Sequence, residues 1–171
     1  QMLNVKFDGK KEAERMVEFF EETERVLGKS LIIFQCDGKR EESTYVSLKR
    51  EMGERLGVNV IVHFALSIDD LVEGIKSANE DETVDGILVQ LPIVEKLKKP
   101  KTQKIKILKG RDLDDLLGMI DPRKDVDGLN SKSNFVPAVV KATEKVMEVF
   151  NIDSGQKIAL VGAKGMVGKR L

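Results

Sequence analysis

Short apolar runs alternate with amphipathic segments through the first half of the chain, and that alternation limits the fold more than any other feature. Between Glu12 and Leu27 the apolar residues Ala13, Met16, Val17, Phe20 and Leu27 follow helical spacing, and Gly28 supplies a stop. Leu31-Ile32-Ile33-Phe34 comes next, too short for a core helix and rich in β-branched and aromatic residues, so it predicts a buried strand closed by Asp37-Gly38. A second helix is predicted from about Ser43 to Leu56, with Tyr45, Leu48, Lys49, Met52 and Leu56 on one side, expected to face inward, and Gly57 ending it. Val58–Phe64 reads as a strand. Ile68, Leu71, Val72 and Ile75 mark a third helix, and Asp85-Gly86 leads into the strand Ile87-Leu88-Val89. Strands separated by helices must run parallel, because each crossover returns the chain to the same end of the sheet. The expected fold class is α/β, a three-layer parallel sheet with helices on both faces.

Beyond Pro92 the pattern breaks. Lysines stand at Lys96, Lys98, Lys99, Lys101, Lys104, Lys106 and Lys109 around Pro100, which reads as a solvated surface insertion between Ile93 and Gly110. A second reading is that these lysines attract an anionic tail on a substrate. Helical character returns at Leu113–Ile120, then an Asp- and Gly-rich loop, then a helix over Pro137–Phe150 with Pro137 suited to the first turn. Lys157-Ile158-Ala159-Leu160-Val161 predicts a strand leading into Gly162. The expected domain boundary falls at Asn151–Gly155, with one domain over residues 1–150 and the start of another over 151–171.

Charged residues make up 34% of the 171 residues but cancel to a formal net charge of zero, so no global field steers the chain to nucleic acid or an anionic membrane. With one cysteine, Cys36, and one histidine, His63, one chain has neither a disulfide framework nor a Cys/His zinc site. No window approaches the roughly 20 apolar residues that span a bilayer. The expectation is a soluble, cytoplasmic protein with no nucleic-acid or membrane partner and no metal.

Three fragments carry candidate chemistry: Tyr45-Val46-Ser47-Leu48-Lys49, Val84-Asp85-Gly86-Ile87-Leu88-Val89-Gln90-Leu91-Pro92, and Pro122-Arg123-Lys124-Asp125-Val126-Asp127-Gly128. Tyr45 and Lys49 are four apart on a predicted helix and so share a face. A lysine held against apolar surface is expected to exchange protons near neutrality. Gln90 ends a predicted parallel strand, where ligand crevices open, and its carboxamide accepts from an ammonium while donating to a carbonyl. Asp125 and Asp127 suit either turn closure or the grip of a carboxylate on a heterocyclic amidine, and spacing leaves both open. Gly162, Gly165 and Gly168, with Lys164 among them, follow a predicted strand in a phosphate-binding context, although G-x-x-G-x-x-G departs from G-x-G-x-x-G.

These fragments, in this order behind Phe7-Asp8-Gly9-Lys10, resemble the bifunctional methylenetetrahydrofolate dehydrogenase/methenyltetrahydrofolate cyclohydrolase family. The resemblance implies a two-domain enzyme of one-carbon metabolism. Such an enzyme oxidises 5,10-methylenetetrahydrofolate with NADP or NAD and hydrolyses the methenyl product to 10-formyltetrahydrofolate in a cleft between domains. It implies a catalytic set of Lys49, Gln90 and Asp127, with Lys49 the acid/base, Gln90 tuning it and Asp127 anchoring the pterin. Substrate would meet Tyr45, Lys49, Gln90, Leu91 and Asp127, and the cofactor would meet Gly162, Lys164, Gly165 and Gly168. A homodimer built largely through nucleotide domains is implied as well.

The chain departs from the family pattern at Pro137-Ala138-Val139-Val140-Lys141-Ala142, where P-C-T-P-x-G is usual, and at Ala163-Lys164, where Arg-Ser is usual. Glu42 stands where a serine is typical, three residues before Tyr45. Family members are also longer. The expectation is therefore a chain cut within its nucleotide-binding domain and inactive as a dehydrogenase. The rival reading is a non-catalytic folate-binding or scaffold protein derived from the family.

Overall fold

The structure is a computed structural model that describes residues 6–97, 104–153, 155–165 and 167–170. In chain order its elements are α1 (Gly9–Thr23), β1 (Ser30–Gln35), α2 (Thr44–Arg55), β2 (Asn59–Phe64), α3 (Ile68–Glu80), β3 (Gly86–Gln90), β4 (Val94–Leu97), β5 (Lys104–Ile107), α4 (Arg111–Leu117) and α5 (Ala138–Val149), with a 3₁₀ turn at Gly168–Arg170. Chain contacts divide these elements into two units. One spans Val26–Phe135; the other combines residues 1–25 with Val136–Leu171.

In the unit spanning residues 26–135, three parallel strands lie in the order β2-β1-β3, as the alternation of strands and helices predicts. Ile33 pairs with Leu88 and Val62 in register, and α2 seats Val46 over Ile33 and Leu88 on that face. Phe34 points to the opposite face, as the period of two requires, and meets α3 at Gly74, where a Cβ would fall 2.6 Å from the ring. Leu71, Ile75 and Ala78 of α3 are buried. The result is three layers, with Ile87, Leu88 and Val89 of β3 buried. The free edge of β3 is not left open: Ile87 N–H donates to Lys124 O (2.7 Å) and Val126 N–H to Ile87 O (3.4 Å).

The face that α2 turns inward differs from the expected one. Val46 is fully buried, but Leu48 is 58% and Met52 40% exposed. Gly53 decides the rotation of the helix, because its missing side chain lets the backbone rest on Val60 of β2.

The lysine-rich stretch is not irregular where it is described. β4 and β5 pair antiparallel, with Val94 opposite Ile107 and Lys96 opposite Ile105. The root of this hairpin is fixed in the core: Ile93 and Leu108 are buried, Val94 N–H donates to Cys36 O (2.7 Å) and Leu108 N–H to Ile93 O (3.1 Å). Lys98, Lys99, Pro100 and Lys101 lie outside the described residues.

In the second unit, α1 stops at Thr23, short of the predicted Leu27, because Glu24 turns to φ 51° and closes the helix through its N–H to Phe20 O. Pro137 is the N-cap of α5 rather than its first helical residue. Ala138, Lys141 and Ala142 line, with Phe7, Ala13 and Met16, an apolar pocket of about 520 Å³.

The strand expected over Lys157–Val161 does not form; residues 157–160 have no regular structure, and Val161 lies in a turn and is 99% exposed. No other strand of this unit lies among the described residues, and an apolar run without a hydrogen-bonding partner cannot hold a strand. Among the described residues no helix is long and apolar enough to cross a membrane.

Candidate functional site

The site grows from the carboxyl ends of β1 and β3, where the strands stop and helix α2 begins. Ser43 caps α2, its Oγ accepting from Val46 N–H at 3.3 Å, so the helix is anchored before it presents Lys49. Lys49, half-buried, extends from α2 to the last residue of β3, and its Nζ donates to Gln90 Oε1 at 2.9 Å. Gln90 is in turn oriented by its own amide, Nε2 donating to Leu91 O at 2.8 Å. The carboxamide thus has one end for the ammonium and one for the backbone.

The loop after α4 supplies the carboxylate. Its two aspartates, which spacing alone leaves equivalent, have different duties. Asp125 is buried and closes the turn: its Oδ2 accepts from Asn130 N–H at 2.9 Å, and Asn130 Nδ2 donates to Ile120 O at 2.8 Å. Asp127 is half-buried, and burial pushes its carboxyl above the ordinary range; the Lys49 charge pulls it back and Asp125 adds a smaller upward push. A carboxylate and an ammonium that sense each other, with a carboxamide between helix and strand, can hold a polar heterocycle and move a proton on it.

Lys124 of the same motif is structural. Its Nζ donates to Ala78 O (3.0 Å), Asn79 O (2.9 Å) and Asp81 O (2.7 Å), tying down the carbonyl end of α3. Gly86 serves the same loop: a Cβ there would fall 2.9 Å from Val126 Cγ1. Tyr45 lies one turn before Lys49 and is 71% exposed, so it forms an open wall rather than a packed one.

The glycine loop belongs to the other unit. Gly162 has φ +86°, Gly165 N–H donates to Gly162 O (2.8 Å) and Lys169 N–H to Gly165 O (3.0 Å); a side chain on Gly168 would strike Gly162 O. Of the four residues expected to meet a cofactor, Gly165 thus spends its N–H within the loop; among the described residues no strand precedes Gly162, and a single 3₁₀ turn, Gly168–Arg170, follows.

Three structural residues were not singled out from sequence. Lys124 and Asn130 carry no sequence signal beyond their place in and after the loop. Gln35 had one: like Gln90, it is a glutamine closing an apolar strand, and the two are register partners.

Comparison with known proteins shows the family. The family described as tetrahydrofolate dehydrogenase/cyclohydrolase, catalytic domain, matches residues 6–127, which include Lys49, Gln90 and Asp127 but not the glycine loop. The bifunctional protein FolD of Sulfurovum sp. (strain NBC37-1) is 31% identical over 138 residues, 73% of this chain and 44% of that protein. FolD of Borreliella afzelii (strain PKo) is 30% identical over 186 aligned positions, 98% of this chain and 57% of the relative. The crystal structure of the bifunctional FolD methylenetetrahydrofolate dehydrogenase/cyclohydrolase from Campylobacter jejuni superposes with a TM-score of 0.64 at 25% identity, covering 85% of this chain and 53% of that one. The chain spans about half the length of the curated relatives it matches. On the ordered motifs, the parallel three-layer sheet and these matches, the chain belongs to the tetrahydrofolate dehydrogenase/cyclohydrolase family.

Proposed function

We propose that the unit spanning residues 26–135 is the folate-side half of such an enzyme and that its own chemistry is the hydrolysis of 5,10-methenyltetrahydrofolate to 10-formyltetrahydrofolate. The observation that carries this reading is the Lys49 Nζ to Gln90 Oε1 bond of 2.9 Å at the carboxyl end of β3, with Asp127 within reach of the lysine's charge. In the open parallel sheet this is where a ligand crevice forms.

The reaction needs a group that takes a proton from water and gives one to a ring nitrogen. The amine of Lys49 takes a proton as water oxygen bonds to the methenyl carbon, which discharges the cation. The same proton then goes to N5 as the carbon–N5 bond breaks, and the remaining hydroxyl proton leaves to solvent as the formyl carbonyl forms. One water is consumed and one proton released. Gln90 holds the amine in line through Oε1, and Asp127 accepts hydrogen bonds from the amino-pyrimidinone edge of the pterin. Tyr45 covers the ring face from the solvent side, and Leu91 lines the crevice beside Gln90.

NADP or NAD would supply a hydride acceptor for the methylene carbon, and Gly162, Lys164, Gly165 and Gly168 are the residues of this chain that would help to hold it. We assign residues 151–171 to the start of that nucleotide-binding domain and expect dehydrogenation only where the rest of such a domain is present. Cytoplasmic location and a homodimer assembled through that domain follow from the same reading.

Replacing Lys49 by Met in the full-length protein tests the proposal. General acid–base catalysis is worth about 10²–10⁴-fold, and a loss of that order is expected, with folate binding retained. Undiminished hydrolysis overturns the mechanism; folate binding without turnover in the unaltered protein overturns the enzymatic reading in favour of a binding protein.

A further inference from the structure

We propose that Gln35 is a positioning residue for Lys49: its buried carboxamide sets the height of helix α2 and so the approach of the lysine to Gln90. Gln35 is the last residue of β1 and only 1% exposed, in a strand whose other members are Leu31, Ile32, Ile33 and Phe34 after Ser30. A buried amide in such a place is costly unless each polar position is matched. Here both are. Nε2 donates to Asp37 Oδ1 (3.1 Å) and to Glu41 O (2.9 Å), and Oε1 accepts from Ser43 N–H (2.9 Å).

These bonds stitch the bend from Asp37 to Ser43 onto the end of the sheet. Ser43 is the N-cap of α2, so the first turn of the helix starts from an atom that Gln35 holds. Lys49 follows six residues later, about 9 Å along a rigid helix axis. A displacement at the cap therefore reaches the lysine undiminished. Gln35 and Gln90 are paired in register on neighbouring strands, and parallel pairs share a face, so one glutamine fixes the helix while the other receives its lysine.

A second tie runs beside the first. Arg50, next to Lys49, donates from Nε to both oxygens of Glu42 (2.9 and 3.0 Å) and from Nη1 to Glu54 (2.8 Å), binding the bend to the helical turn that carries the lysine. Glu42 occupies the position where the family pattern has serine, and the clamp gives that departure a structural role. An apolar residue at position 35 would fill the space equally well but would leave Glu41 O and Ser43 N–H unpaired at the start of α2.

The test rests on the proposed hydrolysis, and a readout independent of activity separates the two. Gln35→Met, close in volume and unable to hydrogen-bond, is compared in the full-length protein with Asn79→Ala, which breaks the ties of Asn79 to Met119 O and Asp121 N–H outside the site. Misplacing a reacting group by about 1 Å costs on the order of 10²-fold, so Gln35→Met is expected to lower kcat by about 10- to 100-fold with an altered pH profile. Asn79→Ala should melt earlier yet keep its kcat and pH profile below its transition.

In the substrate-free protein, the ¹⁵N-labelled side-chain signal of Lys49 should move and the Ser43 amide should lose hydrogen-exchange protection in Gln35→Met alone. Should that variant not fold, Gln35→Glu serves: it keeps an acceptor for Ser43 but faces the Asp37 carboxylate, and its loss of kcat should grow as pH rises. An unshifted Lys49 signal with unchanged kcat in a folded position-35 variant overturns the proposal. Absence of hydrolysis in the unaltered protein overturns the functional reading instead, and the Lys49 signal then decides the positioning role by itself.

Discussion

Replacing Lys124 by Met should cost stability and spare catalysis, although Lys124 sits inside the motif that carries Asp127. The ammonium answers three carbonyls at the end of α3, those of Ala78, Asn79 and Asp81, at 3.0, 2.9 and 2.7 Å. A helix end leaves such carbonyls without partners, and a cation there also meets the negative end of the helix dipole.

Methionine keeps the aliphatic stem and removes all three donors. The bond to Asp81 O is exposed and water replaces it at little cost. The two part-buried carbonyls lose a charged donor, each worth about 1–1.5 kcal/mol after partial rehydration, for a total of about 2–3 kcal/mol. For a chain of this size that lowers Tm by about 4–12 °C. Thermal melts at neutral pH read the loss, and methenyl hydrolysis measured well below both transitions reads the chemistry. A Tm within about 2 °C of the unaltered protein, or a fall in kcat like that of Lys49→Met, refutes the structural assignment.

Three further outcomes follow from the same geometry. Burial raises the Asp127 carboxyl, so its charged form opposes folding: the penalty is absent below the ordinary carboxylate range and grows as pH rises through the raised folded value. Asp127→Asn should therefore melt no earlier than the unaltered protein at neutral pH while binding folate more weakly, and a variant clearly less stable there contradicts this. Asp121, hydrogen-bonded to Arg123 with Oδ2–Nη2 at 2.6 Å, is lowered to about 2, so its contribution is complete above the ordinary value of 3.8 and disappears as pH falls toward about 2; Asp121→Asn should flatten that part of an acid-unfolding curve. Replacing Lys104, Lys106 and Lys109 by Gln should weaken an anionic substrate at low salt, with the difference fading above about 0.1 M, where screening acts within about 10 Å; no change at low salt leaves the hairpin a solvated surface.

Much of the fold was legible because strand and helix periods differ and Gly or Asx residues punctuate them. β1, β2, β3 and α3 fall where short β-branched runs and helical spacing put them. The misread parts each depended on a partner. Leu48 and Met52 look like core residues by spacing, yet the close approach of Gly53 to Val60 turns them outward. Lys104-Ile105-Lys106-Ile107 alternates as a strand does, hidden among the lysines around it, and its antiparallel pairing with β4 makes it a strand. Lys157–Val161 has strand composition but pairs with no strand among the described residues.

What the chain's residues determined by themselves was the α/β alternation, the family that the motifs resemble, and Lys49, Gln90 and the pair Asp125 and Asp127 as the polar groups of interest. Only the tertiary structure separated Asp127 from Asp125, gave Lys124 to the end of α3, and revealed that Gln35 anchors the helix bearing Lys49. Local periodicity records which side chains prefer burial. A hydrogen bond between residues 41 apart, such as Lys49 to Gln90, forms only after the sheet and helix have packed and brought two distant stretches of chain within 2.9 Å.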